Sequence, residues 1–180
     1  MAKPGMHEQK PFRTNAVDQT SAFMDRRADR LLERGKAAVD RGDYVTALHE
    51  FRASTYVLRT AASLTNWGSM EHCLGDTHRA IELCHEAIAL DPDWGSPYNN
   101  IGSYLVAMQR ADDAIVWFKR AIACKRFDGS RQVPHINLGK LYCARQDYEQ
   151  ALTHLDEALL LDPANPEIHE LAVRIRSQLS

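Results

Sequence analysis

No stretch of this 180-residue chain approaches the ~18 consecutive apolar residues of a membrane-spanning helix. The N-terminal MAKPGMHEQKPFRTNAVDQT also lacks the apolar core of a secretory leader. Cysteine is sparse. Cys73, Cys84, Cys124 and Cys143 show no C-x-x-C spacing, which favours free thiols in a reducing cytoplasm over a disulfide framework. Charge of one sign is missing as well. The 22 Lys+Arg against 24 Asp+Glu leave a net charge of −2, so the overall field gives no reason to expect nucleic acid or an anionic membrane as partner. Catalytic signatures are absent: there is no G-x-x-x-x-G-K-[ST] phosphate loop and no G-x-S-x-G. HEFRA, HEAIA and HELAV each begin like a zinc-protease motif, but none has the second His four residues on. The cluster His72, Cys73, His78, Cys84 and His85 matches no standard zinc spacing. It is expected to be a buried Cys84 with surface histidines. No enzyme activity, cofactor or metal is expected.

What the chain does have is a repeat. Gly35 in LERGKAA, Gly68 in TNWGSME, Gly102 in NNIGSYL and Gly139 in INLGKLY recur at a period near 34 residues, with a three-residue insertion before the last unit. Other positions keep the phase. Twelve residues after each glycine stand Ala47, Ala80, Ala114 and Ala151; sixteen after stand Phe51, Cys84, Phe118 and Leu155; nineteen after stand Ser54, Ala87, Ala121 and Ala158. The first two units carry a second glycine, Gly42 and Gly75. Each unit reads as two amphipathic helices joined by a tight turn, with small residues where helices approach closely and larger Phe51, Phe118, Leu155, Tyr142 and Tyr148 beside them. Asn165-Pro166 and Ser96-Pro97 both read as N-cap followed by Pro in the first helical position. One such unit cannot bury its own apolar face, whereas a stack can.

On these residues the chain resembles the tetratricopeptide repeat (TPR) family over roughly residues 28–165. Unit four, with Leu138-Gly139, Tyr142, Tyr148, Ala151, Ala158 and Pro163, matches best; unit two departs at Trp67, Glu71, Thr77 and Cys84. The resemblance implies an all-α, right-handed superhelical solenoid of about four helix-turn-helix repeats plus a C-terminal capping helix. Its expected divisions are a disordered tail over 1–18, the repeats over 19–165, and the cap over 166–180. Within the cap, Ile168, Leu171, Ala172, Ile175 and Leu179 lie at helical spacing and are expected to be buried.

The resemblance further implies that the first helix of each pair lines a concave groove that holds extended peptides. Asn66, Asn100 and Asn137, two residues before their glycines, would face it as a ladder able to hydrogen-bond a peptide main chain. Asn99, flanking Asn100, and Thr65 share the wall, as do Ser69, Ser103 and Lys140, one residue after their glycines. Asn100 is expected to matter little for stability. A carboxylate clamp of the kind found in chaperone-binding members needs Lys three before and Asn one after the glycine, and no unit has both. The expected function is an adaptor or scaffold for a protein or peptide partner. The alternative is a structural or self-associating module that uses its outer face, where Trp117 is a candidate, or its ends, with the groove idle or filled by its own N-terminal segment. The basic run Lys119, Arg120, Lys125, Arg126 and Arg131 around the insertion reads as solvated helix ends.

Overall fold

The computed structural model describes residues 14–127 and 130–179, with side chains from Asp18 onward. The expectation of disorder over residues 1–13 lies outside the described residues. Those that are described form nine helices and no strand: α1 Thr14–Asp40, α2 Tyr44–Val57, α3 Ala61–Cys73, α4 Thr77–Leu90, α5 Gly95–Ala107, α6 Ala111–Ala123, α7 Val133–Ala144, α8 Tyr148–Leu161 and α9 Pro166–Arg176. Helix α1 starts at Thr14, so the expected boundary at 18/19 falls inside it and not ahead of it.

Consecutive helices pack as four hairpins, α1/α2, α3/α4, α5/α6 and α7/α8, and α9 closes the stack against α8. The first helices α3, α5 and α7 also touch one another in sequence. They form one continuous face, and the second helices form the other.

The repeat phase becomes packing. A Cβ built on Gly35 would stand 2.3 Å from the Phe51 ring, on Gly102 2.6 Å from the Phe118 ring, and on Gly139 2.8 Å from Leu155. In each case the clash is with the residue sixteen positions later, in the partner helix of the hairpin. At Gly68 that residue is the small Cys84, and the contact falls instead on the Ala80 carbonyl at 3.1 Å. The alanines at the next phased positions, Ala47, Ala80, Ala114, Ala151, Ala87, Ala121 and Ala158, are fully buried. Ser54 holds the same place in unit one and is equally buried; its hydroxyl donates to the Ala28 carbonyl at 3.0 Å, which offsets the cost of burying it.

All four hairpin turns close alike. The second residue of each turn adopts a left-handed backbone: Gly42 (φ 73°), Gly75 (φ 101°), Gln109 (φ 61°) and Gln146 (φ 61°). The next amide reaches back to the helix end, as Asp43 N to Ala38 O at 2.9 Å and Arg110 N to Leu105 O at 2.8 Å. This is the double-bonded C-terminal closure that a left-handed residue permits. Asp43, Asp76 and Asp147 then cap the following helix by accepting from the amides of Thr46, Arg79 and Gln150.

Two boundary expectations are corrected. Asn165 caps α9 as read, accepting from the Glu167 and Ile168 amides. Ser96 is not the N-cap: α5 begins at Gly95, its N-cap is Trp94 without a side-chain cap bond, and Ser96-Pro97 lie inside the first turn. The reason is a loop that arrives from 31 residues downstream, described below. In the cap, Ile168, Leu171, Ala172 and Ile175 are buried, but Leu179 is 54% exposed because α9 ends at Arg176.

Candidate concave cleft and its neighbours

On the continuous face lies a cleft of about 340 Å³ between α3, α5 and the segment leading into α7. Helix α3 contributes Thr65, Asn66 and Ser69; α5 contributes Ser96, Asn99 and Asn100; and Phe127, Ser130 and Val133 close the far side. None of these side chains is charged.

The amides are organised by one another. Asn100 donates from Nδ2 to Ser69 Oγ at 3.0 Å, across the gap between α5 and α3. The Ser69 hydroxyl in turn donates to the Thr65 carbonyl at 3.1 Å. Asn137 donates from Nδ2 to Asn99 Oδ1 at 3.1 Å, joining α7 to α5. Asn66 is different: its Nδ2 is buried without a hydrogen-bond partner. The Tyr104 hydroxyl shares that condition; the residue is 4% exposed. Burial pushes the Tyr104 pKa up, and Ser69 and Asn100 are the polar side chains that offset part of the shift.

Of the residues expected on the groove, the structure brings Asn66, Ser69, Asn99 and Asn100 to one cleft and ties Asn137 to it. Ser103 and Lys140 are not among the residues lining this cleft. The Ser103 hydroxyl is turned back on its own helix, donating to the Asn99 carbonyl at 3.1 Å. Lys140 pairs with Glu167 of α9 at 2.6 Å, in a separate charged cleft with Glu170 and Arg174. Asn100, expected to matter little for stability, bonds a neighbouring helix.

Phe127 and Ser130 carried no phase signal. They come with the segment that holds the three-residue insertion, which drew notice only for its charges, while Val133 opens α7. Those charges are absorbed locally. Arg126 pairs with Asp91, Lys125 lies 3.7 Å from Asp93, and Arg131 donates to the Cys124 carbonyl at 3.2 Å. The Arg120 guanidinium lies 5.2 Å from the Trp117 ring and the Lys119 ammonium 6.0 Å from the Tyr142 ring. Trp117, a candidate for an outer contact, is partly buried and packs with Tyr98 and His85.

Cys84 is buried, and burial pushes its thiol pKa up to about 12. His78 and His85 are exposed, and His72 sits against the Tyr104 ring. Among the described residues no three His, Cys, Asp or Glu side chains gather as a metal site, and no helix is long and apolar enough to cross a membrane. All four cysteines are free thiols.

Comparison with known proteins agrees with this architecture. Residues 139–171 match the family described as TPR repeat, and residues 98–126 the family described as tetratricopeptide repeat. The small glutamine-rich tetratricopeptide repeat-containing protein 2 of Saccharomyces cerevisiae is 21% identical over 152 residues, which is 84% of this chain. The chain spans 41% of that relative's length. Among solved structures, a thermophilic TPR protein of Thermus thermophilus superposes with a TM-score of 0.70 at 19% identity, covering 85% of this chain and 83% of that one. A chain of the APC/C hetero-tetramer Cut9–Hcn1 superposes with a TM-score of 0.73 at 17% identity, covering 91% of this chain and 34% of that one. With four phased helix hairpins, three of the four repeat glycines seated against the residue sixteen later, and two units matched directly, this chain is an all-α solenoid of tetratricopeptide repeats.

Proposed function

We propose that the protein is an interaction module whose concave face holds an extended segment of a protein partner. The observation that carries this reading is the Asn66 amide, buried beside an uncharged cleft with Nδ2 unpartnered. Leaving a buried amide N–H unmet costs about 1–3 kcal/mol, and a main-chain carbonyl is the acceptor an extended segment supplies at regular intervals. The bonds of Asn100 to Ser69 and of Asn137 to Asn99 hold both amides in one orientation, which lowers the entropy lost on binding. TPR repeats generally mediate protein–protein contacts, and a structural neighbour sits in a hetero-tetramer. As such a module the protein needs no catalytic group.

The test is affinity for an authentic partner. Asn66→Ala and Asn100→Ala are each expected to weaken it about 5- to 150-fold, the equivalent of about 1–3 kcal/mol. A partner whose affinity is untouched by either substitution places recognition on another face. That outcome favours a second reading, self-association through the C-terminal end, where Leu160 is 75% and Val173 63% exposed. Sedimentation of the purified chain over a concentration series separates the two.

A further inference from the structure

The insertion between the third and fourth hairpins is built into the fold. Arg126 pairs with Trp94 as an isolated parallel bridge: Gly95 N donates to Arg126 O at 2.7 Å, and Arg126 N donates to Asp93 O at 3.1 Å. The Arg126 guanidinium is held by Asp91 and the Cys124 carbonyl by Arg131. These bonds take over the start of α5, which is why Trp94 replaces Ser96 as its N-cap. They also carry Phe127 onto the concave side, where its ring lines the cleft opposite Asn66 and Ser69.

A glycine makes room for that ring. A Cβ on Gly95 would lie 2.1 Å from Phe127 Cε2. The positions in phase with Gly95, seven before each repeat glycine, are Ala28, Ala61 and Gln132. Ala28 and Ala61 are themselves buried. Glycine therefore stands at this phase only in the one unit where an aromatic ring from the insertion occupies the space of a side chain. A glycine at the head of a helix has no conformational advantage in this place, since its φ is not in the left-handed region; the seat for Phe127 explains it.

The cleft that Phe127 walls has one buried donor without an acceptor, Asn66 Nδ2. Its described lining offers no cation to pair with a carboxylate. An amide carbonyl meets that donor without bringing an unpaired charge out of water, which is the costlier event. The amide's methylene stem would rest on the phenyl ring and Val133. We propose that Phe127 is a specificity-determining wall of the concave cleft, and that the cleft takes an uncharged carbonyl-bearing side chain, Asn or Gln, of the bound segment.

This proposal rests on the groove reading above, and the experiment separates the two. The full chain is panned against a phage-displayed library of random dodecapeptides, and synthetic versions of the selected sequences are titrated by fluorescence anisotropy. Selected peptides are expected to share an Asn or Gln. Replacing it with Glu should weaken binding about tenfold or more, the scale of one unmet buried polar group. Phe127→Ala should reduce that discrimination to about threefold or less, and Phe127→Leu should retain most of it. Gly95→Ala displaces the ring without removing it and should act like Phe127→Ala. If discrimination survives both Phe127→Ala and Gly95→Ala while Asn100→Ala abolishes binding, the groove reading stands and the role of Phe127 is overturned. If selected peptides share no amide residue, the proposal is likewise overturned. If no peptide is selected, or binding survives every variant, the groove reading fails and this one with it.

Discussion

A Cβ placed on Gly102 would stand 2.6 Å from Cε1 of Phe118, and Phe118 is only 1% exposed. A phenyl ring so enclosed has no direction in which to yield. Gly102→Ala is therefore expected to destabilise the fold despite the better helix propensity of alanine. Overpacking costs about 1–3 kcal/mol, against about 1 kcal/mol gained by removing a mid-helix glycine. Gly102→Leu should cost more, and Gly102→Ala combined with Phe118→Leu should recover part of the loss. Gly68→Ala should be the mildest of the series, because its nearest contact is 3.1 Å. Urea unfolding of the set gives the ranking, and an unchanged midpoint for Gly102→Ala would contradict it.

Gln109 and Gln146 occupy the left-handed turn position that Gly42 and Gly75 fill in the first two hairpins. A left-handed backbone costs a non-glycine residue roughly 1–2 kcal/mol, partly offset by the smaller entropy it loses on folding. Gln109→Gly with Gln146→Gly is expected to raise the melting temperature. The reverse exchange, Gly75→Ala, is expected to lower it, although nothing lies within 4 Å of the missing Cβ. A melting temperature that falls in the glycine double variant would show that the glutamine side chains stabilise these turns.

His135 and His154 approach with their Nδ1 atoms 3.3 Å apart, and His154 stacks on Tyr142. Burial lowers the pKa of both. His135, together with Lys119, lowers that of His154 further, while Glu157 opposes the shift at each. A histidine held below its unfolded value binds fewer protons in the native state than in the unfolded chain as pH falls through about 6.5. Stability contributed by the pair is thus present above that pH and declines below it. The melting temperature should drop between pH 7.5 and 5.5, and His154→Gln should flatten the decline. An identical profile in the variant would assign the pH dependence to other groups.

The four thiols should react in order of exposure. Cys73 is exposed and Cys143 partly so, while Cys84 and Cys124 are buried. Burial pushes the Cys84 thiol up to about 12 and raises that of Cys124, and the thiolate is the reactive form. Iodoacetamide at neutral pH is expected to label Cys73 first and Cys84 only after denaturant is added, as read by peptide mass spectrometry. Early labelling of Cys84 would show that the α3/α4 hairpin opens readily.

The hairpins, their turns and the buried small residues were legible in the residue order alone, because every repeat contact has a short, fixed separation in sequence. Gly35 meets Phe51, Gly102 meets Phe118 and Gly139 meets Leu155 at the same interval, so four copies of one local solution reinforce a single phase. The amides Asn66, Asn99 and Asn100 could be expected on one face for the same reason. What the order of residues could not decide is how those amides bond. Asn100 reaches Ser69 across 31 positions and Asn137 reaches Asn99 across 38, so each outcome depends on the rotation between neighbouring hairpins. That packing left Asn66 unpartnered and paired Lys140 with Glu167. The insertion is the sharpest case. It breaks the period, so no phase says where Phe127 points. Only the folded chain, with Arg126 bonded to Asp93 and Gly95, brings that ring to the start of α5, displaces Ser96 from its cap, and closes the cleft.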